Sequence, residues 1–212
     1  MTPIVWLALA AFLVLGVAML SWRTLSRMRA LPCPPWLMWL LENPFARRRT
    51  YTPVLERLAL SPGLHVLDVG CGYGRLSIPI ARLVLPGAQV VGVDIQEGML
   101  RMARERAQKS GLANLTFRRA GAGEGLLGPG RYDRALMVTV LGEIPRQAEA
   151  LHEVLSALKP GGFLSITEFL PDPHYQPVGK VRRLAYAAGF RELAYFGSAL
   201  GYTLNLERPP GS

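Results

Sequence analysis

The stretch VLDVGCGYGRLS (Val66–Ser77) places three glycines at alternate positions directly after a short apolar run that contains one acid. The apolar run predicts a buried β-strand, and the residues beyond the stretch continue with helical spacing. Glycine suits a turn whose backbone takes positive φ or lets a ligand approach closely. In parallel α/β sheets, ligands bind beyond the carboxyl ends of the strands. The stretch therefore predicts a strand, a ligand-binding loop and a helix, with Asp68, Gly70, Gly72 and Gly74 at the site.

Strand-like and helix-like segments alternate along residues 51–212. This alternation is typical of an α/β fold, with a doubly wound, mostly parallel sheet and helices on both faces. The last two strands follow each other without a helix, which predicts an antiparallel hairpin at the end of a seven-stranded, Rossmann-like sheet. The predicted strands are HVLDVG (65–70), QVVGVDI (89–95), LTFRRA (115–120), YDRALMVTVL (132–141), FLSITEFL (163–170), FRELAYF (190–196) and YTLNLER (202–208).

The glycine loop departs from the pattern of a dinucleotide-binding turn. That turn reads G-x-G-x-x-G, whereas this loop reads G-C-G-Y-G and continues with Arg75. A second acid, Asp94, ends the next predicted strand, where its carboxylate can accept hydrogen bonds from two ribose hydroxyls. The two acids, Asp68 and Asp94, together suit a nucleoside ligand that carries a positive centre.

Four blocks of the chain resemble the motifs of the class I S-adenosylmethionine-dependent methyltransferases, in the family's order. They are VLDVGCGYG, VVGVDIQEGML, YDRALMVTVLGEI and LSALKPGGFLSITEF, and the resemblance extends from about Tyr51 to Arg208. It implies a methyltransferase domain over residues 51–212, with S-adenosyl-L-methionine as cofactor and methyl transfer as the reaction. The whole chain is similar to small bacterial membrane-associated methyltransferases related to enzymes that modify phospholipids and quinones.

The resemblance also implies which residues border the cofactor. Asp68 would lie near the amino-acid portion, and Asp94 would hold the ribose. Relatives often carry an acid for the adenine amino group after the third strand. This chain has Gly121 there, so that Glu124 or a backbone group would replace the contact. The predicted cofactor-binding residues are Asp68, Gly70, Cys71, Gly72, Tyr73, Gly74, Asp94, Ile95, Gln96, Met99, Gly121, Ala122 and Thr139.

Polar residues at the ends of the fourth and fifth predicted strands form the expected acceptor side. Glu143 follows the fourth strand and can face the substrate or cap the next helix. Glu168, Asp172, His174 and Tyr175 end or follow the fifth strand, and His174 can act as a base where the acceptor must lose a proton. We expect Glu143, His174 and Tyr175 to be the catalytic residues. The sequence shows no metal-ligand cluster, and methyl transfer from a sulfonium does not require one.

Residues 1–22 are almost wholly apolar and carry no charge before Arg23. About 20 helical residues span the core of a bilayer, so the segment predicts a single transmembrane anchor. A buried core helix and a cleavable signal peptide are the alternatives, and the signal peptide lacks its basic start and cleavage site here. The arginines that follow, Arg23, Arg27 and Arg29, predict that the rest of the chain lies in the cytoplasm.

Residues 23–50 combine prolines, two tryptophans and arginines, which predicts a linker that lies among lipid headgroups or covers the pocket as a lid. With a net charge of +9 at pH 7, a basic cluster beside the anchor favours a membrane surface over nucleic acid as partner. Because a lipophilic acceptor would explain a membrane tether, we expect a phospholipid headgroup amine. The alternatives are C-methylation of a prenylated quinone, methylation of a small molecule, and a tethered cofactor-binding subunit without catalysis. The sequence leaves the oligomeric state open.

Overall fold

A computed structural model of the 212-residue chain describes Trp6 and residues 44–170 and 172–211. The predicted anchor (1–22), apart from Trp6, and the predicted linker (23–50) up to residue 43 lie outside the described residues. None of the helices in the described part of the chain combines the length and the hydropathy needed to cross a membrane.

Seven strands and five helices alternate in the described residues. The elements are α1 (Pro44–Arg57), β1 (Val66–Val69), α2 (Ser77–Leu83), β2 (Val90–Asp94), α3 (Glu97–Lys109), β3 (Leu115–Arg119), β4 (Tyr132–Val138), a 3-10 turn (Leu141–Glu143), α4 (Gln147–Ala157), β5 (Leu158–Phe169), α5 (Val178–Ala187), β6 (Arg191–Ser198) and β7 (Gly201–Glu207).

The strands form one seven-stranded sheet in the order β3-β2-β1-β4-β5-β7-β6. Strands β1 to β5 are parallel, while β7 is antiparallel to both β5 and β6. The predicted α/β class, with its doubly wound, mostly parallel seven-stranded sheet, and the predicted closing hairpin are therefore confirmed. The strand order reverses at β1, which lies between β2 and β4. This reversal opens a crevice at the carboxyl ends of the central strands, where doubly wound folds bind their ligands.

Two hydrophobic clusters, one on each face of the sheet, share the central strand. Leu67 and Val69 of β1 belong to one cluster with Leu151 of α4, and Val66 belongs to the other with Ile80 of α2. All four residues of β1 are buried. A strand covered by helices on both faces must be apolar without alternation, which explains the continuous apolar run before the glycine loop.

Strand β5 begins at Leu158, five residues earlier than the sequence predicts. Leu158 pairs with Tyr132 across an irregular step in the ladder, so the KPGG segment continues the sheet instead of only closing α4. Two contacts hold it there. The Lys159 ammonium bonds the Asp133 carboxylate at 2.9 and 3.0 Å, and Gly162 lies so close to neighbouring carbonyls that a Cβ would be 2.9 Å from the Lys159 oxygen.

Candidate active site

The glycine loop leaves β1 at the carboxyl edge of the sheet and is held there by backbone hydrogen bonds. The N–H groups of Gly70 and Cys71 both donate to the carbonyl oxygen of Val93 on β2, at 2.8 and 3.0 Å. Gly70 and Gly72 have φ of +70° and +53°, values that other residues rarely adopt. A Cβ atom at Gly70 would overlap Val140, whereas one at Gly72 would meet nothing within 4 Å. Gly72 therefore leaves room for a ligand to approach the backbone.

Asp94 joins the end of β2 to this loop. Its Oδ2 accepts a hydrogen bond from the Gly72 N–H at 2.9 Å, and its Oδ1 accepts one from the Gln96 N–H at 2.8 Å. The residue is 9% exposed, and burial raises the pKa of its carboxyl although the backbone N–H bonds oppose this. Each carboxylate oxygen has lone pairs beyond the one used, so the group can also accept the hydroxyls of a ribose.

Asp68 lies almost fully buried on β1, two residues before the loop. The Ser77 hydroxyl at the start of α2 donates to its Oδ2 at 2.5 Å. The pKa of this carboxyl is raised to about 6, mainly by burial; the hydrogen bond from Ser77 opposes the rise, and the charge of the nearby Asp94 adds to it. At neutral pH the site therefore holds a buried negative charge, which favours a cationic group of a ligand.

The other predicted residues of the loop and of α3 differ in exposure. Ile95 is 52% exposed beside Asp94, whereas Met99 is buried yet belongs to neither hydrophobic cluster of the sheet. Cys71 packs in the second cluster, where burial raises the pKa of its thiol. The Tyr73 ring is buried with the Arg106 guanidinium 4.7 Å from its centroid. The loop therefore presents mainly its backbone to a ligand.

Glu124 lies against Gly121, the position after β3 where relatives often carry an acid. Its Oε2 accepts a hydrogen bond from the Gly121 N–H at 2.9 Å, and a Cβ atom at Gly121 would lie 2.8 Å from its Oε1. The Glu124 carboxylate thus fills the space that a side chain at position 121 would occupy. Ala122, between them, packs against the first hydrophobic cluster. Both candidates for the adenine contact, the Glu124 carboxylate and the backbone of Gly121, therefore lie together after β3.

Thr139 follows β4 in a left-handed conformation, with φ of +55°. Its N–H donates to the Thr167 carbonyl at 2.8 Å, and its hydroxyl donates to the Val138 carbonyl at 2.7 Å. Non-glycine residues held at positive φ concentrate at functional sites. The bend directs the chain from β4 into the turn that carries Glu143.

The segment between β5 and α5, which carries His174 and Tyr175, covers the turn that carries Glu143. Gly142 lies against the His174 carbonyl so closely that a Cβ there would overlap it. The segment is fastened to β7, because the Tyr202 hydroxyl donates to the Gln176 carbonyl at 2.7 Å and the Tyr175 ring meets the Tyr202 ring edge-on at 6.1 Å.

Two buried polar atoms in this region have no hydrogen-bond partner within the described residues. They are Oε1 of Glu168 and Nε2 of His174, on side chains that are 1% and 5% exposed. Burial raises the pKa of Glu168 to about 8. The expected catalytic set contains His174 but not Glu168, which the sequence places only in the surrounding polar cluster. The available signal is an acid inside the apolar run FLSITEFL.

A seven-stranded sheet in this order, with a glycine loop and two buried acids at its switch point, defines a Rossmann-like, S-adenosylmethionine-dependent methyltransferase. Residues 60–182 match a family described as "Methyltransferase domain". Because the match covers more than half of the chain, the chain belongs to that family. S-adenosylmethionine is therefore its cofactor.

Curated relatives are enzymes of quinone biosynthesis. The ubiquinone/menaquinone biosynthesis C-methyltransferase of Pseudomonas entomophila is 34% identical over 135 residues, which are 63% of this chain and 51% of that protein. The ubiquinone biosynthesis O-methyltransferase of Dinoroseobacter shibae is 42% identical over 103 residues, which are 48% of this chain and 40% of that protein. The chain spans about half the length of the curated relatives it matches.

A solved structure confirms the fold. The S-adenosylmethionine-dependent methyltransferase from Aquifex aeolicus superposes with a TM-score of 0.75 at 23% identity, over 82% of this chain and 98% of that chain. At this identity the likeness shows the fold alone.

The chemistry of the site fits S-adenosylmethionine. The open side of Gly72 lets the backbone approach the ligand, Asp94 can accept the ribose hydroxyls, and Asp68 matches a positive charge. Among the described residues, no group of His, Cys, Asp and Glu side chains could hold a metal ion.

Proposed function

We propose that the protein transfers a methyl group from S-adenosylmethionine to a lipophilic acceptor with a quinone-type ring. The observation that carries the proposal is the position of two buried polar residues, Glu168 and His174, at and after the carboxyl end of β5, on the same edge of the sheet as the glycine loop. The curated relatives described above act in quinone biosynthesis, which supports a quinone-type acceptor. The phospholipid headgroup favoured by the sequence has no such support.

The chain's own residues bind and orient the reactants. When bound, the cofactor supplies an electrophilic methyl group on a sulfonium. Asp94 holds the ribose and is itself held by two backbone N–H groups. Asp68 supplies a negative charge with Ser77 as its hydrogen-bond donor. Alignment of nucleophile and methyl group supplies much of the rate in such a displacement.

The acceptor side of the site must exclude water and take up the proton that the acceptor loses. An electron-rich ring carbon or oxygen becomes a better nucleophile when a ring hydroxyl loses its proton, and a positioned base assists that loss. His174 offers an unpartnered Nε2 for this role. The segment that carries it is fastened by Tyr175 and Tyr202, which keeps the covering segment in place over the turn after β4.

A methylation assay with a small set of acceptors tests this function. Purified full-length protein is incubated with S-adenosylmethionine carrying a labelled methyl group. The acceptors are a short-chain demethylmenaquinol, a short-chain ubiquinol precursor and phosphatidylethanolamine vesicles. We expect label in a quinol and none in the phospholipid, with D94A as a control that lacks the ribose contact. Label only in phosphatidylethanolamine would contradict the quinone proposal.

We also retain the membrane anchor as a proposal. Its support is the uncharged apolar run over residues 1–22 and the arginines after it. An acceptor with a prenyl tail is dissolved in the bilayer, so a tethered enzyme meets it at high effective concentration. The cytoplasmic orientation of the domain follows from the same arginines.

A further inference from the structure

Glu168 lies at the carboxyl end of β5, the edge of the sheet at which this fold binds its ligands. It is the second-last residue of β5 and lies opposite Tyr202 of β7. Its Oε2 accepts a hydrogen bond from the Gln176 N–H at 3.2 Å, while its Oε1 has no partner in the described part of the chain. Only 1% of the residue is exposed. Burying a carboxyl oxygen without a partner is unfavourable, so a hydrogen bond from Glu168 to a ligand would be favourable.

The surroundings keep the Glu168 carboxyl protonated at neutral pH. Burial is the main cause of its raised pKa, about 8, and the negative charges of Asp172 and Glu143 act in the same direction. The Gln176 N–H and the Lys180 ammonium oppose them. On the paired strand β7, the Tyr202 hydroxyl donates its proton to the Gln176 carbonyl and not to Glu168. Below about pH 8 the unpartnered side of Glu168 can therefore act as a neutral O–H donor.

A second unpartnered buried atom belongs to the segment that follows β5. His174 Nε2 also lacks a partner, and His174 belongs to the segment whose Gln176 binds Glu168. A neutral ring that carries a carbonyl oxygen accepts a hydrogen bond from the Glu168 carboxyl without bringing a charge into the interior. An ammonium headgroup would instead require an ionised carboxylate there.

We propose that Glu168 binds the methyl acceptor by donating a hydrogen bond from its carboxyl to a ring oxygen, and so selects neutral oxygen-bearing rings over ammonium headgroups. This inference rests on the proposed function and names the residue that would determine acceptor specificity. Glu168 is then an acceptor-binding residue, distinct from the base assigned to His174.

The test measures binding of duroquinone, a fully substituted and neutral quinone. Full-length protein in detergent is saturated with S-adenosylhomocysteine, and dissociation constants are measured at pH values on either side of about 8. The variants are E168Q, which keeps a neutral donor and an acceptor for the Gln176 N–H, and E168A, which removes both. S165A is the matched control, because Ser165 is also on β5, is also fully buried and also has an unpartnered oxygen.

We expect wild type to lose about tenfold in duroquinone affinity as pH rises through 8, the size of one hydrogen bond. E168Q should keep the affinity that wild type has at neutral pH and lose its pH dependence. E168A should bind about tenfold more weakly at all pH values. S165A should behave as wild type, and phosphoethanolamine should bind wild type more weakly than duroquinone does.

Equal affinity and equal pH dependence in wild type and E168A would overturn the inference, as would stronger binding of phosphoethanolamine or methylation of a quinol without any binding of duroquinone. Failure of the proposed function has a different signature. Duroquinone would then bind in a Glu168-dependent manner although no quinol is methylated. Absence of both binding and methylation would overturn both proposals.

Discussion

The Gly72 N–H donates a hydrogen bond to Asp94 Oδ2 at 2.9 Å and thereby joins two sequence motifs that are 22 residues apart. The loop after β1 and the acid at the end of β2 are thus one structure. Gly72 is also the glycine of this loop whose Cβ position is open. The same residue therefore orients the Asp94 carboxylate and leaves room for the ligand. Substitutions at either residue should affect the cofactor first.

Replacing Asp94 with alanine should weaken binding of S-adenosylhomocysteine by about 10- to 100-fold. Two ribose hydrogen bonds of about 0.5–1.5 kcal/mol each are lost, and the Gly72 N–H loses its acceptor. Titration calorimetry measures the change. D133N is the matched control, because Asp133 lies at the opposite edge of the sheet, bound to Lys159. Unchanged affinity in D94A would remove Asp94 from the site.

Alanine at Gly70 should mainly lower stability, whereas alanine at Gly72 should mainly lower cofactor affinity. Both substitutions place a side chain at positive φ, which costs about 1–2 kcal/mol. G70A also overlaps Val140, and such overpacking adds about 1–3 kcal/mol. We therefore expect G70A to unfold at lower urea concentration than G72A. G72A should instead show the larger loss of S-adenosylhomocysteine affinity, since its methyl group enters the open space. Equal losses of affinity would contradict this assignment of the two faces.

The fold was predictable because the local sequence patterns are those that a buried parallel sheet requires. A buried parallel strand such as β1 must be apolar on both faces, and its glycine loop signals the turn. The start of β5 was not predictable in the same way, since Pro160 and Gly161 resemble a helix stop and only the pairing of Leu158 with Tyr132 continues the strand. Long-range pairing decides such boundaries, and a linear pattern does not contain it.

The candidate site was predictable where a motif specifies position. Asp94 ends β2 beside the glycine loop, at the position that the sequence predicts. Glu124 and Glu168 depend on where side chains meet in three dimensions. Glu124 folds back onto Gly121, and the partner of Glu168 is on a segment that returns over the sheet. Neither contact can be predicted from the spacing of residues in the sequence.

Cofactor affinity should increase as pH rises towards 6. In the free protein the Asp68 carboxyl has a pKa of about 6 instead of 3.8, so below pH 6 it is largely neutral. A cationic ligand prefers the ionised form, and its affinity should rise by up to about tenfold per pH unit below this value and level off above it. Calorimetry with S-adenosylmethionine measures the profile. D68N should bind more weakly, with a flat profile. A flat wild-type profile would show that Asp68 does not face the positive charge.

The E168Q substitution should remove a pH-dependent loss of stability. Between pH 4.5 and about 8, the unfolded chain has lost the Glu168 proton while the folded chain keeps it. The free energy of unfolding therefore falls as pH rises, by up to about 1.4 kcal/mol per unit, and stops falling above pH 8. Urea unfolding of both proteins across this range gives the difference. Parallel curves for wild type and E168Q would show that the carboxyl is ionised in the folded protein.

Removal of residues 1–30 should separate cofactor binding from activity on membranes. The first described helix of the domain begins at Pro44 and the sheet begins at Val66, so the truncated chain should fold and bind S-adenosylhomocysteine with unchanged affinity. Turnover of a long-chain quinol in vesicles should fall strongly, because the predicted tether supplies effective concentration. A short-chain quinol in solution should be methylated at the full-length rate. This arm is the control for an intact active site.

The same variant also tests the topology. The full-length protein should stay with membranes in alkaline carbonate, and the truncated protein should be released. Alkaline carbonate removes proteins that are bound to the membrane surface, whereas a transmembrane segment remains inserted in the bilayer. High salt should weaken residual binding of the truncated protein to anionic vesicles, since Arg47, Arg48 and Arg49 remain and each basic residue near the surface contributes about 1 kcal/mol. Release of the full-length protein by carbonate, together with unchanged turnover of the truncated protein on vesicles, would show that residues 1–22 do not anchor the enzyme.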